Sequence, residues 1–198
     1  MNRFLNDERL PNCLTCFRIL VVPGVVICLL APGRMTSVLA AVLFMLAGVT
    51  DFLDGVLARR YGNITNLGKL LDPLADKLLV VSALIMLAGV GRVPAWMVVI
   101  IVARELLITG LRAVAIERSR TLITSTWLAK YKMVFQMVAV TGLLLHYQFL
   151  WFDFHAVGIF FLWAALVLTV WSGADYLYKF MVTEDGLISA RWARLFFH

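Results

Sequence analysis

Stretches of roughly 20 apolar residues, the helix length needed to cross about 30 Å of hydrocarbon, recur along nearly the whole of this 198-residue chain. Composition points the same way. Hydrophobic residues make up 62% of the chain and charged residues 15%, and the mean hydropathy of +0.90 lies outside the range of soluble globular domains. The runs predict an all-α integral membrane protein of six transmembrane helices: Asn12 to Leu30, Ser37 to Arg59, Gly68 to Ala88, Val93 to Ala115, Trp127 to His146 and Ala156 to Tyr178. The connections are short. No linker, low-complexity tract or internal repeat divides the chain, so residues 1–198 are read as a single transmembrane domain. Asp7 and Glu8 precede the first apolar run and no small-residue cleavage site is evident, so a removable signal peptide is not expected.

Orientation follows from the basic residues, because Lys and Arg near span ends are retained in the cytoplasm. Arg3, Arg9, Arg59, Arg60, Lys69, Arg112, Arg118, Arg120, Lys179, Arg191 and Arg194 fall at one set of ends, against Arg34 and Arg92 at the other. Both termini are therefore expected in the cytoplasm. The net charge of +6 then reflects inward retention and attraction to anionic headgroups, and nucleic-acid binding is not expected. The segment His146 to His155 carries Tyr147, Phe149, Trp151, Phe152 and Phe154, an interfacial aromatic belt, and Met1 to Leu10 offers Phe4 and Leu5 to the headgroups. Cys13, Cys16 and Cys28 lack the second pair that a zinc site needs and are read as packing residues. His146, His155 and His198 fall at interfaces or at the terminus, as wetted polar side chains.

The chemistry is concentrated in Asp51-Phe-Leu-Asp54-Gly55-Val-Leu-Ala58-Arg59 and, eight residues on, Gly68-Lys-Leu-Leu-Asp72-Pro-Leu-Ala-Asp76. Each ionised group at the centre of a membrane helix costs about 2.5 to 3.5 kcal/mol on insertion scales, so four carboxylates together need a compensating partner. Asp51 and Asp54 are spaced i, i+3 and Asp72 and Asp76 i, i+4, so each pair projects from one helix face. Were a hairpin to bring the faces together, carboxylates at roughly 6 Å would repel by about 3 kcal/mol per pair at an effective dielectric of 20. Two divalent cations would cancel the four charges, and an all-oxygen ligand set selects Mg²⁺ or Mn²⁺. Paired metals of this kind serve displacement at phosphorus.

The residues between the carboxylates suit a phosphate-bearing ligand. Gly55 and Ala58 lie one and two turns beyond Asp51, where small side chains let a nucleotide approach the backbone. The planar fork of Arg59 suits bidentate phosphate contact, and Gly62, Asn63 and Asn66 allow the chain to reverse, so the pocket is expected to open to the cytosol.

The pattern D-x-x-D-G-x-x-A-R-x8-G-x3-D-x3-D, whose eight specified residues are all present, resembles the signature of the CDP-alcohol phosphatidyltransferase family. The six-helix architecture with cytosolic termini is similar too. The resemblance implies metal ligation by Asp51, Asp54, Asp72 and Asp76, with Asp76 also the general base, and a cytidine diphosphate bordered by Gly55, Ala58, Arg59 and Gly68. It further implies CDP-diacylglycerol as donor, attack of an acceptor hydroxyl on the phosphorus bonded to diacylglycerol, release of CMP, and a homodimer in the bacterial inner membrane. The competing readings are a structural polar network through Arg59, Arg104 or Lys77, and a cation transporter with an intramembrane acidic site. A network has no reason to adopt this spacing with Gly55 and Ala58 interleaved.

The acceptor is read from other helices, where Arg104, Arg112, Lys130 and Lys132 offer an anion receptor. Ala103-Arg104-Glu105, Leu111-Arg112, Lys130-x-Lys132 and Pro11-Asn12-x-Leu14-Thr15-x-x-Arg18 resemble the bacterial branch of the family whose acceptor is glycerol 3-phosphate. That branch often carries Gly-Lys-x-Lys-Thr where this chain has Ala129-Lys130-Tyr131-Lys132-Met133, so no hydroxyl stands at residue 133. Positive-inside topology alone would also place Lys130, Lys132 and Arg112 where they are. Arg104 lies deeper, and Glu105 beside it is rotated by about 100° on a helix, so a direct pair is not assured. Other acceptors compatible with the same signature are inositol phosphate, serine, choline- or ethanolamine-type alcohols and phosphatidylglycerol.

Overall fold

The computed structural model describes the backbone of residues 9–61, 66–117, 127–149 and 152–196, and the side chains of residues 17–50, 77–111, 131–147 and 153–178. Each apolar run becomes a helix: α1 Arg9–Leu30, α2 Arg34–Tyr61, α3 Asn66–Gly89, α4 Ala95–Glu117, α5 Trp127–Leu145 and α6 Phe154–Phe196. The bounds agree with the expected spans to within three residues, except at the far end of α6, which continues past Tyr178 to Phe196. Among the described residues, the segment Phe154–Tyr178 is long and apolar enough to cross a membrane, with a mean hydropathy of 2.0. Phe17–Leu30, Arg34–Thr50, Lys77–Gly89 and Tyr131–Leu145 are shorter apolar segments.

α1 packs on α2 and α3, α5 on α6 and α2, and α4 on α6 and α3. Val25, Phe44, Leu84, Met97, Leu143 and Leu162, one from each helix, are wholly enclosed. The outward faces are equally apolar: Leu20, Leu30, Phe160 and Trp171 remain 67 to 72% exposed, an exterior that a lipid solvent favours and water does not. Close backbone approach joins some of the helices, and small residues permit it. Gly142 and Gly158 provide it between α5 and α6. A Cβ on Gly158 would stand 2.8 Å from the Leu143 nitrogen and 3.1 Å from the Ala139 carbonyl oxygen.

The end of the bundle where α3 passes to α4 is closed by hydrogen bonds. Gly91, at φ 75°, ends α3 with its N–H on the Ala88 carbonyl at 3.0 Å and the Arg92 N–H on the Leu87 carbonyl at 2.9 Å. The Arg92 side chain, 5% exposed, then reaches across the bundle. Its Nη1 donates to the Leu144 carbonyl at the end of α5 (2.9 Å), its Nη2 to the Ser37 hydroxyl at the start of α2 (2.8 Å), and the guanidinium stands 5.9 Å from the Tyr147 ring centre.

The aromatic segment after α5 holds a two-stranded antiparallel pairing, β1 Gln148–Phe149 with β2 Phe152–Asp153. The expected connection thus has a ladder of its own. Asp153 caps α6, its Oδ1 accepting from the His155 and Ala156 N–H groups at 3.0 and 3.1 Å. His146 and His155, expected to be wetted, instead face one another with their Nδ1 atoms 3.1 Å apart. Cys28 is buried with a free thiol, as a packing residue should be. Cys13, Cys16, His198 and the segment Met1 to Glu8 lie outside the described residues or side chains.

Candidate active site

The two halves of the acidic motif occupy the last turns of α2 and the first turns of α3. Asp51 stands ten positions before Tyr61, where α2 ends, and Asp76 ten positions after Asn66, where α3 begins. Each is therefore about 15 Å along its helix from the connection, at matched depth. Asp54 and Asp72 form a second matched pair nearer that connection. The side chains of Asp51, Asp54, Gly55, Ala58, Arg59, Gly68, Asp72 and Asp76 lie outside the described ones, as do those of Arg112 and Lys130, which are on α4 and α5. Among the described residues, no group of three His, Cys, Asp or Glu is poised around a common point.

Immediately after Asp76 the described side chains begin, and they open on an ionic cluster. Lys77 of α3 donates to the Thr109 hydroxyl of α4 and stands 3.9 Å from Glu105 Oε2. Thr109 in turn donates to the Glu105 backbone carbonyl at 2.6 Å, closing a turn of α4 on itself. Lys132 of α5 donates to Glu105 Oε1, and Arg104 Nη1 reaches the same oxygen at 3.3 Å. Arg104 Nη2 donates to the Ser172 hydroxyl of α6 at 2.8 Å. Thus Arg104 and Lys132, two of the four residues expected to hold an acceptor phosphate, meet at one carboxylate, joined there by Lys77.

Local sequence explains how three cations fit inside an apolar bundle. Gly173 leaves room for the Arg104 side chain to cross α6, since a Cβ there would stand 3.1 Å from Arg104 Cγ and 3.3 Å from its Nε. The side chains of Arg104, Glu105 and Lys132 are only 15, 13 and 7% exposed, so their attraction acts with little screening by water. The direct Arg104–Glu105 pair, not assured by helical rotation alone, does form, because a long guanidinium can fold back around the helix. Sequence reasoning missed Glu105 as the centre of this cluster, and missed Thr109 and Ser172. An ionisable residue in the middle of an apolar span was the available signal for Glu105. Nothing in the local sequence distinguishes Ser172 from an ordinary helix-packing serine.

Arg18 of α1, part of the early Asn12-to-Arg18 pattern, is 1% exposed, so α1 also sends a cation into the interior. Residues 8–171 match the sequence profile of CDP-alcohol phosphatidyltransferases. The chain belongs to the CDP-alcohol phosphatidyltransferase family. Among its relatives, the CDP-diacylglycerol--glycerol-3-phosphate 3-phosphatidyltransferase of Bacillus subtilis (strain 168) is 40% identical over 185 residues, covering 86% of this chain and 94% of that protein. The protein of the same name from Rickettsia bellii (strain RML369-C) is 40% identical over 173 residues, with 86% and 94% covered. That from Haemophilus influenzae (strain ATCC 51907 / DSM 11121 / KW20 / Rd) is 36% identical over 174 residues, with 85% and 91% covered. The cluster at Glu105 is joined by Lys77, the residue that follows the acidic pattern in sequence.

Proposed function

We propose that this chain transfers a phosphatidyl group from CDP-diacylglycerol to glycerol 3-phosphate, giving phosphatidylglycerophosphate and CMP. The observation that carries this reading is similarity over 86% of the chain to relatives bearing that activity in their names, on a chain that keeps all eight specified residues of the acidic pattern. The convergence of Arg104 and Lys132 on Glu105, which Lys77, the residue after Asp76, also approaches, supports an anionic acceptor over a neutral one.

In this reading Gly55, Ala58 and Gly68 admit the cytidine diphosphate against the helix backbones and Arg59 holds its phosphate. Arg104, Arg112, Lys130 and Lys132 hold the phosphate of the acceptor. Asp76 takes the proton from the acceptor hydroxyl, that oxygen bonds to the phosphorus attached to diacylglycerol, and the bond from that phosphorus to the CMP oxygen breaks. No covalent enzyme intermediate is needed. The donor set of Asp51, Asp54, Asp72 and Asp76 consists of oxygens on two helices at matched depth, which fits hard divalent cations and not zinc. Two Mg²⁺ or Mn²⁺ ions, when bound there, would neutralise the carboxylates and stabilise charge on the departing phosphate.

The six helices are taken to cross the bacterial inner membrane with both termini and the motif end in the cytoplasm, following the basic residues. The functional unit is taken as a homodimer, checked by light scattering of the detergent-solubilised protein. The reaction is tested by supplying purified protein with CDP-diacylglycerol and Mg²⁺ or Mn²⁺ and measuring CMP. Release that depends on glycerol 3-phosphate supports the assignment. Release that responds to inositol phosphate, serine or phosphatidylglycerol instead would overturn the acceptor while keeping the chemistry.

A further inference from the structure

Glu105 is surrounded by cationic side chains from three different helices: Lys77 of α3, Arg104 of its own α4 and Lys132 of α5. The carboxylate between them offsets the repulsion of like charges drawn this close in a poorly screened interior. One oxygen, Oε1, accepts from both Lys132 and Arg104, while Oε2 faces Lys77. The carboxylate is itself held in place. Its helix turn is clamped by Thr109, which binds the Glu105 carbonyl and receives Lys77. The other side of Arg104 is fixed by Ser172, across the space that Gly173 leaves open.

We propose that Glu105 is a positioning residue for acceptor binding, gathering Lys132 and Arg104 to one point so that the two can receive a phosphate group together. This rests on the reading of glycerol 3-phosphate as acceptor. The proposed role needs no contact of Glu105 with the donor or the reacting atoms. Its effect passes through Arg104 and Lys132, so it falls on the phosphate-bearing acceptor and leaves CDP-diacylglycerol alone. An arginine has five N–H donors and a lysine three, so each can be held by Glu105 and address a phosphate with the same head group. Gathering cations in advance saves the ordering cost that binding would otherwise incur.

The test is steady-state kinetics of CMP release by the full-length protein in detergent, varying each substrate in turn, for wild type, Glu105→Gln and Glu105→Asp. Gln keeps size and an acceptor oxygen but loses the charge, whereas Asp keeps the charge on a shorter stem. The expected result is an acceptor KM raised about tenfold in Glu105→Gln, with the KM for CDP-diacylglycerol changed by less than about twofold. Glu105→Asp should lie between that variant and wild type. A merely structural role would move both KM values together with thermal stability. Equal effects on the two substrates, or an acceptor KM that is unchanged or lowered, overturn the proposal. Should Glu105→Gln fail to fold, Glu105→Asp alone decides by the same selectivity. If wild type itself releases no CMP with glycerol 3-phosphate, the acceptor reading fails and this proposal with it. If wild type does so and the variants show no selective effect, only Glu105 is wrong.

Discussion

Replacing Arg92 should loosen the bundle at the end remote from the acidic motif without touching the chemistry. Arg92 makes two strong contacts, to the Leu144 carbonyl at 2.9 Å and the Ser37 hydroxyl at 2.8 Å, and a longer one to the Leu143 carbonyl at 3.4 Å. Hydrogen bonds from a charged donor contribute about 1.5 to 3 kcal/mol each, so the two short ones amount to roughly 3 to 6 kcal/mol before any offset. The offset is desolvation. Burial pushes the guanidinium below its ordinary pKa, a sign that holding the charge there costs part of what its contacts return. Arg92→Met keeps much of the aliphatic stem and removes that cost, but leaves the last carbonyls of α5 without their donor. A net loss of about 3 kcal/mol results, which for a chain of this size lowers Tm by roughly 6 to 12 °C. Thermal unfolding of the solubilised protein, followed by size-exclusion chromatography after heating, measures it. CMP release well below the transition should stay near wild type, because Asp76 lies about 20 Å down α3 from Gly89. A Tm shift under about 2 °C would show that Arg92 does not tie α2 to α5.

Gly158→Ala should lower stability by about 1 to 3 kcal/mol, since its Cβ would meet α5 backbone that cannot step aside; an unchanged Tm would mean that α5 and α6 are not in close contact. Burial first, then the positive charge of Arg92 and the neighbouring His155, lower the pKa of His146 from the usual 6.5, with Asp153 opposing. The unfolded chain therefore binds this proton more readily, so stability present above about pH 6.5 is lost as pH falls through the lowered folded value. Tm measured from pH 8 to pH 5 should fall on the acid side in wild type and fall less in His146→Asn. Asp76→Asn should fold and keep its Tm within a few degrees yet lose CMP release by at least about 100-fold, as expected when a general base is removed. Turnover at the wild-type rate would take Asp76 out of the mechanism.

The helices were legible because long apolar runs with short polar connections mark helical segments before any tertiary contact exists. Boundaries from Arg9 to Leu145 came within three residues for that reason. The run of α6 beyond Tyr178 was not legible: Lys179, Glu184 and Asp185 end the apolar signal, but nothing in them ends a helix. The acidic signature was legible in full, since its spacing is written in consecutive residues. The cluster at Glu105 was only half legible. Arg104 and Lys132 were marked by charge in apolar surroundings, but their meeting depends on α4, α5 and α6 packing side by side, which no local pattern records. Arg92 was read as a weak topology signal, whereas it spans from the α3 terminus to α2 and α5.

The two sets of buried cations are held in different ways. At one end, Arg92 uses backbone carbonyls and a serine hydroxyl as its partners, groups that carry no charge. At the other, Lys132 and Arg104 share a carboxylate, which holds them by charge. The carboxylate is the stronger partner for a cation, while moving Arg92 would also leave the last carbonyls of α5 without their donor. In the proposed reading the cations that receive the acceptor phosphate are those gathered at Glu105, whereas Arg92 fastens helices.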